Sequence, residues 1–376
     1  MIENDYYALL DNSHQPNLES ELQVNGPVIT TRRATIRDVA HAAGISVATA
    51  SRVLSQSSYP IGKGTREKVL AAARELNYSP NLLGRMLKKS DSTDIGVIIP
   101  NISNPFYPQL VLGIETEARK RGFSILLCNS FRDVAYERKY VELMHQKQIR
   151  GIILSSISEE HGFLKDLCAR GLKVVAFDQN IEDFHCDKIS FDFTAGAVTA
   201  VDHLVAMGHR RIAFASSPLV RRSRREIFAG YKLGLAKHNL PFSADFVHIL
   251  KIEKEVGNGS FEFDSGKNMV EMILASNELP TAVFAVNDVT ALGIIHGLMD
   301  RKVRVPDDMS VIGFDNIEFS SMFNPPLTTI NQPAFETGRL ACKVLIETLT
   351  EDKTDFVSLK LEPSLVVRSS VRNLRI

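Results

Sequence analysis

The residues best suited to recognising bases are Val47, Ala48, Ser51 and Arg52. On a helix this spacing puts all of them on one side, with Ala48 and Arg52 one turn apart. An arginine offers paired donors that match O6 and N7 of guanine, and small apolar side chains contact the methyl group of thymine. The spacing therefore predicts a helix that reads base edges in the major groove, with Arg52 as the reader of guanine.

The flanking residues predict a helix-turn-helix that presents this face. A first helix has an apolar stripe at i, i+3, i+4 and i+7, formed by Ile36, Val39, Ala40 and Ala43. Thr35 and Asp38 have the spacing of an N-terminal capping box, and Gly44 supplies the left-handed residue that ends the helix. Ser46 caps the second helix. Spacing alone leaves an ordinary surface helical hairpin as the alternative.

Charge is unevenly distributed along the 376 residues, although their formal net charge is zero. Residues 1–31 contain five acidic residues and no Lys or Arg, whereas residues 32–90 contain eleven Lys or Arg and three acidic residues. A basic module of this kind neutralises phosphates, so the predicted partner is double-stranded DNA.

Other sequence features favour a protein with reduced cysteines and no membrane span. The four cysteines have no Cys-x-x-Cys spacing, which predicts free thiols and no metal site. The N-terminus lacks a basic segment followed by an apolar core, and no apolar run reaches the length of about 18 residues that a membrane span needs. We therefore expect a cytoplasmic protein without a cofactor.

Motifs of catalysis are missing from the sequence. The string at 62–65 resembles a phosphate-binding loop, but Ser57 stands where that motif requires a glycine. The sequence has no nucleophile elbow and no His-Glu-x-x-His pair. We expect no catalytic residue and no enzymatic activity.

From Asp94 onward, short apolar strands such as 95–99 and 212–215 alternate with amphipathic helical stretches. This alternation predicts an α/β fold built from parallel strands with helical crossovers. Ligands of such sheets bind outside the carboxyl ends of the strands.

Several strings resemble the lactose/galactose repressor (LacI/GalR) family. They include Ala-x-x-x-Gly-Ile-Ser-x-x-Thr-x-Ser-Arg-Val at 40–53, Thr-Arg-Glu-Lys-Val-Leu at 65–70 and Asn-Tyr-Ser-Pro-Asn at 77–81. The resemblance continues through Gly-His-Arg-Arg-Ile-Ala-Phe at 208–214 and Pro-Pro-Leu-Thr-Thr at 325–329, and it covers roughly residues 34–372.

The resemblance implies a headpiece at 34–79, a hinge helix or linker at 80–91 and an effector-binding and dimerisation core at 92–376. The core is expected to be periplasmic-binding-protein-like, with two doubly wound α/β subdomains. The N-subdomain covers about 92–192 and 332–358, and the C-subdomain about 193–331 and 359–376. The polar composition of residues 1–33 favours a disordered extension.

The family also implies a set of DNA contacts. The implied residues are Thr35, Ile36, Ser46, Val47, Ala48, Thr49, Ser51, Arg52, Tyr59, Thr65, Leu87 and Lys88. Leu87 stands where the family inserts a leucine into the minor groove, which kinks the DNA. Gly84 replaces the usual alanine and weakens the hinge helix by about 0.5 to 1 kcal/mol, so its ordering should depend more on DNA.

For the effector cleft, the resemblance and the strand ends point to one group of residues. They are Asn104, Phe106, Tyr107, Asp178, Arg225, Phe261, Asn287 and Asp315. Gln179, Phe193 and Ile227 depart from the family pattern, so the usual clamp for a neutral sugar is incomplete. An arginine-rich stretch at 221–225 favours an anionic effector, with a solvated surface run as the alternative.

The leading hypothesis is a homodimeric transcription regulator, most simply a repressor of genes for carbohydrate or related catabolism. It binds a near-palindromic operator and responds to a sugar, sugar phosphate or sugar acid. One alternative is control by a phosphorylated carrier protein that docks on the helix at 294–301, with Arg301 facing the phosphate. Another is a solute-binding receptor without DNA function.

Overall fold

The computed structural model describes residues 34–55, 59–78, 93–158, 160–177, 185–251, 261–351 and 355–375. The chain divides into two compact units, Met1–Ser90 and Asp91–Ile376, and each is described by itself. The predicted N-terminal extension, the hinge segment with Leu87 and Lys88, and the cleft candidate Asp178 all lie outside the described residues.

The first unit contains the predicted helix-turn-helix. Its helices are α1 (Ile36–Ala42), α2 (Val47–Leu54) and α3 (Lys63–Glu75). Thr35 and Asp38 form the capping box at the start of α1, and Gly44 has a positive φ of 65° in the turn. The buried core joins all three helices through Val39, Ala40, Ala50, Val53, Val69, Ala72 and Ala73.

The second unit begins with a six-stranded parallel sheet, called the first sheet. Its strands are β1 (Asp94–Ile99), β2 (Ser124–Asn129), β3 (Gly151–Leu154), β4 (Lys173–Phe177), β5 (Asp187–Phe191) and β11 (Ser358–Leu361), in the order β11-β5-β4-β3-β1-β2. The helices of this subdomain are α4 (Phe106–Lys120), α5 (Val134–Gln146), α6 (Gly162–Ala169) and α12 (Ala334–Thr350).

The second sheet also has six strands, and only its edge strand β12 runs antiparallel. They are β6 (Ile212–Ser216), β7 (Val247–Ile249), β8 (Ala282–Ala285), β9 (Ser310–Asp315), β10 (Thr328–Asn331) and β12 (Ser364–Val366), in the order β12-β10-β9-β8-β6-β7. Its helices are α7 (Phe193–Ala206), α8 (Arg222–Lys237), α9 (Phe261–Leu274), α10 (Asp288–Asp300) and α11 (Phe319–Met322), with a 3-10 turn at Ala244–Phe246. The two predicted α/β subdomains are confirmed.

Within the described residues, the chain crosses between the two subdomains at three places. The first crossing follows β5, since α7 packs against the second sheet, and the second lies between β10 and α12. The third lies between Leu361 and Ser364, beyond its predicted position near Ser358. The correction arises because Ser358–Leu361 pairs in parallel with β5 and extends the first sheet before the chain leaves it.

In each subdomain one pair of helices packs backbone against backbone through glycines. A Cβ atom on Gly266 of α9 would lie 2.1 Å from a backbone oxygen of α10, and one on Gly293 of α10 would lie 2.0 Å from a backbone oxygen of α9. Gly113 of α4 and Gly338 of α12 make the same arrangement, each at 2.0 Å from the opposite backbone. Glycine is therefore the residue that permits this close approach.

Among the described residues, no helix has the length and apolar character to cross a membrane. The same part of the chain contains no group of His, Cys, Asp or Glu side chains that can hold a metal ion. Its cysteines are free thiols, and burial raises the pKa of Cys168 to about 12.

Candidate functional site

The outward face of α2 carries the side chains that were predicted to recognise bases. Val47, Ala48 and Arg52 are exposed and Ser51 is half-buried, because the opposite face of the helix packs into the headpiece core. The structure thus brings these residues together on one accessible surface. A short helix with such a face fits the major groove of B-DNA.

Arg52 is held by an aromatic ring. Its guanidinium carbon lies 4.4 Å from the centroid of the Tyr59 ring, and Tyr59 is 54% exposed. A guanidinium over an aromatic face is attracted by the ring quadrupole, which restricts the rotamers of a long side chain. Tyr59 therefore orients the donors of Arg52 at the exposed face of α2.

Other predicted DNA residues have structural roles in the headpiece. The side chain of Thr35 is engaged with Asp38 at the start of α1. Ser46 Oγ accepts a hydrogen bond from the backbone N–H of Thr49 at 3.1 Å, and the two hydroxyl oxygens lie 2.8 Å apart. Ile36 packs against the headpiece core, and Thr65 lies half-buried in the first turn of α3.

Tyr59→Ala is expected to weaken selection for the base pair that Arg52 reads, about 2- to 5-fold, since exposed cation–π pairs contribute about 0.5 to 1 kcal/mol. Tyr59→Phe keeps the ring and should retain the selection. Half-site selection with both variants checks this prediction. An equal loss of base selection in the alanine and phenylalanine variants would assign the effect to the hydroxyl group instead of the ring.

The second candidate site is a cleft between the two subdomains of the core. It contains a cavity of about 50 Å³ at the carboxyl ends of strands from both sheets. The lining residues are Asn104, Phe106, Tyr107, Phe193, Arg221, Ser223, Arg224, Ile227, Glu262, Val286, Asn287, Asp315 and Gln332. Five of the predicted effector residues, Asn104, Phe106, Tyr107, Asn287 and Asp315, are thus brought together here.

Local hydrogen bonds fix the orientation of these lining side chains. Asn104 Oδ1 accepts from the backbone N–H of Phe106 at 3.0 Å, and Asn287 caps α10 through the N–H of Thr290 at 2.8 Å. Tyr107 packs edge-to-face on Phe106, with ring centroids 5.3 Å apart. These contacts give the cleft an aromatic wall beside oriented polar side chains.

Two predicted effector residues, Arg225 and Phe261, are not among the residues that line this cavity. The guanidinium of Arg225 donates to the carbonyl oxygens of Leu219 and Val220, because Arg225 lies about 100° further round α8 than Arg224. Phe261 is the half-buried first residue of α9, and its neighbour Glu262 reaches the cleft instead.

A buried ionic group of the cleft was not among the predicted effector residues. Glu262 is 4% exposed, and its carboxylate accepts from Arg132 at 2.7 Å and from Asn104 Nδ2 at 2.6 Å. Arg224 lies 3.5 Å from the same carboxylate. Burial alone raises the pKa of Glu262, but the guanidinium groups of Arg132, Arg224 and Arg221 bring it below its ordinary value. Glu262 is therefore ionised at neutral pH.

Arg221 adds a further contact across the cleft. Its guanidinium donates to the hydroxyl oxygen of Tyr107 at 2.9 Å. Arg221 stands at the N-cap of α8, whereas Tyr107 belongs to α4 of the other subdomain. Contacts of Arg132, Asn104 and Arg221 therefore join both walls of the cleft.

A larger cavity of about 430 Å³ adjoins the cleft and shares Phe106, Asp315 and Gln332 with it. Gln332 lies at the second crossing and was not among the predicted effector residues. The combined space falls within the size range of pockets for small molecules.

Two known families match this chain, one in each of its two units. Residues 35–81 match the family described as bacterial regulatory proteins, lacI family. Residues 201–371 match a periplasmic binding protein-like domain.

Curated relatives match over almost their entire length. The repressor PurR of Vibrio parahaemolyticus, described as an HTH-type transcriptional repressor, is 33% identical over 345 residues, which cover 91% of this chain and 99% of that protein. PurR of Vibrio campbellii is 34% identical with the same coverage.

Solved structures show the same architecture. The lac repressor dimer bound to operator and the anti-inducer ONPF superposes with a TM-score of 0.76 at 29% identity, covering 91% of this chain and all of that one. The complex of the transcriptional regulator CelR with cellobiose gives a TM-score of 0.66 at 27% identity, covering 90% of this chain and all of that one.

Proposed function

Because the chain belongs to the LacI family of DNA-binding transcriptional repressors, we propose that it represses catabolic genes under the control of a small anionic effector bound in the cleft. The genes would serve the uptake or breakdown of a carbohydrate or related compound. The protein would act in the cytoplasm, where its operator is found.

The headpiece supports the DNA-binding half of this proposal. Its reading face is exposed, and residues 32–90 carry the positive charge that phosphate neutralisation requires. The lac repressor to which it is similar binds its operator as a dimer. We therefore expect this chain to bind a near-palindromic operator as a homodimer, with one headpiece on each half-site.

The observation that carries the effector class is the concentration of arginines in the cleft. Arg132, Arg221 and Arg224 gather around Glu262, so guanidinium groups outnumber carboxylates in this cluster. Guanidinium groups bind carboxylates and phosphates through paired, charge-assisted hydrogen bonds. A sugar phosphate or sugar acid fits this site better than a neutral sugar.

The carrier-protein alternative has less structural support. Arg301, its proposed phosphate-binding residue, is already paired with Glu271 on the surface. The receptor alternative does not explain the headpiece, which matches the lacI family.

Arg221→Ala is expected to weaken effector binding about 10- to 100-fold, because a hydrogen bond to a charged group contributes about 1.5 to 3 kcal/mol. Calorimetry with sugar phosphates, sugar acids and neutral sugars measures this, after a thermal-shift screen has identified the ligand. Arg225→Ala is the matched control, since it removes the same charge from the same helix outside the cleft.

A mobility-shift assay on the upstream region of the gene completes the test. Operator affinity without effector should be unchanged in both variants, and the identified effector should alter it in wild type. Tight binding of a neutral sugar, with equal affinities in the two variants, would contradict the anionic class.

A further inference from the structure

The carboxylate of Glu262 lies among the arginines that the proposed anionic effector would contact. It is bound by Arg132 and Asn104 from one subdomain and lies beside Arg224 from its own. A carboxylate held by two arginines and an amide donor has the same partners as the acid group of a small ligand. We propose that Glu262 is an internal stand-in for the anionic group of the effector, which displaces it to bind Arg132, Arg221 and Arg224. This inference rests on the proposed function.

The backbone that delivers Arg132 supports this inference. Phe131 and Arg132 follow β2 with positive φ angles of 52° and 59°, a conformation that non-glycine residues rarely adopt. Such residues are costly, persist where the surroundings hold them, and are enriched at functional sites. Here the N–H of Arg132 donates to the carbonyl oxygen of Pro100 at 3.0 Å, which ties this loop to the end of β1. The side chain then meets Glu262 inside the cleft.

Burial explains why the stand-in is needed. The side chains of Arg132, Arg224 and Glu262 are only 5 to 7% exposed. A cluster of guanidinium groups removed from water is strongly unfavourable without a counter-ion, so an empty cleft needs an internal anion. The anionic group of the effector then replaces the carboxylate of Glu262 beside the arginines, so the effector has to compete with Glu262.

This competition determines which ligands bind in the cleft. A neutral sugar supplies no negative charge to replace that of the carboxylate, whereas a phosphate monoester supplies three oxygens and up to two negative charges. The exchange also releases the amide of Asn104, which can then donate to a hydroxyl group of the ligand. The favoured class is a small polyhydroxylated compound with a phosphate or carboxylate group.

Chemical rescue of a Glu262→Ala variant tests the proposal. The substitution leaves a space the size of a carboxylate among the arginines, and the full-length protein should melt at a lower temperature than wild type. Titration with sodium phosphate or sodium formate, against sodium chloride at matched ionic strength, should then restore stability. We expect phosphate to bind this variant at least tenfold more tightly than it binds wild type. Asp308→Ala is the control, since it removes a carboxylate from Arg304 on the surface and should show no rescue.

Two further variants make the test decisive. Glu262→Gln keeps the shape of the side chain and replaces the alanine variant if that does not fold. Adding Arg132→Gln to either variant should lower its phosphate affinity about tenfold. The proposal for Glu262 would be overturned if its variants bound phosphate with the same affinity as wild type. It would also be overturned if adding Arg132→Gln left that affinity unchanged. If wild type still binds an anionic effector in that case, the proposed function survives, whereas binding of neutral sugars alone would overturn the proposed effector class.

Discussion

Arg52→Ala is expected to weaken specific operator binding about 5- to 150-fold at each half-site and to relax base preference at one position. A bidentate contact of arginine with guanine contributes about 1 to 3 kcal/mol of discrimination, and a homodimer makes that contact twice. The position of Arg52 on the exposed face of α2, stacked on Tyr59, makes it the side chain best placed for this contact.

Half-site selection with the variant measures the effect, alongside binding to non-specific DNA at several salt concentrations. Arg74→Ala is the matched control, because Arg74 is an exposed arginine of the same headpiece that lies on α3. It should leave the preferred half-site unchanged, and any loss of binding should be alike for all sequences, since charge on phosphates carries no sequence information. An unchanged preferred half-site in Arg52→Ala would remove Arg52 from base recognition.

Gly266→Ala is expected to lower the free energy of unfolding of the core by about 3 kcal/mol, the upper end for an overpacked interior. The added Cβ would lie 2.1 Å from a backbone oxygen of α10, and a backbone cannot rotate away as a side chain can. The two helices would have to separate along their whole contact. Urea unfolding followed by circular dichroism measures the loss.

Gly162→Ala is the control for the glycine prediction. Gly162 begins α6, and a Cβ there would have no atom within 4 Å. Alanine should be neutral or slightly stabilising at this position, because it favours the helix more than glycine does. Equal stability of Gly266→Ala and Gly162→Ala would mean that α9 and α10 tolerate a larger separation than the structure indicates.

The headpiece was predictable from sequence because its signals are local. Thr35, Asp38, Gly44 and Ser46 fix the ends of two helices within a few residues, and the apolar spacing decides which face is buried. The strands of the core were predictable for the same reason. The third crossing was not, since pairing of Ser358–Leu361 with β5 depends on a partner far away in the chain.

The cleft was predictable where it follows strand ends, as at Asn104, Asn287 and Asp315. Elsewhere the sequence alone does not determine which side chains of a helix face the cleft. The arginine-rich stretch indicated positive charge, but only the start of α8 decides that Arg224 lines the cleft while Arg225 turns to the preceding loop. Nothing in the local sequence links Arg132 to Glu262, since they are 130 residues apart and meet only when both subdomains have folded.

The three crossings restrict how the core can respond to a ligand. Two bodies joined by one flexible chain can turn about any axis, whereas three short connections restrict twisting and sliding, so we expect the subdomains to move mainly by a hinge rotation. Phe193 and Gln332 line the cleft beside the first and second crossings, so a ligand there touches the axis as well as the walls. We therefore expect effector binding to change the angle between the two subdomains. A graded response then reflects the fraction of molecules at each end of that rotation.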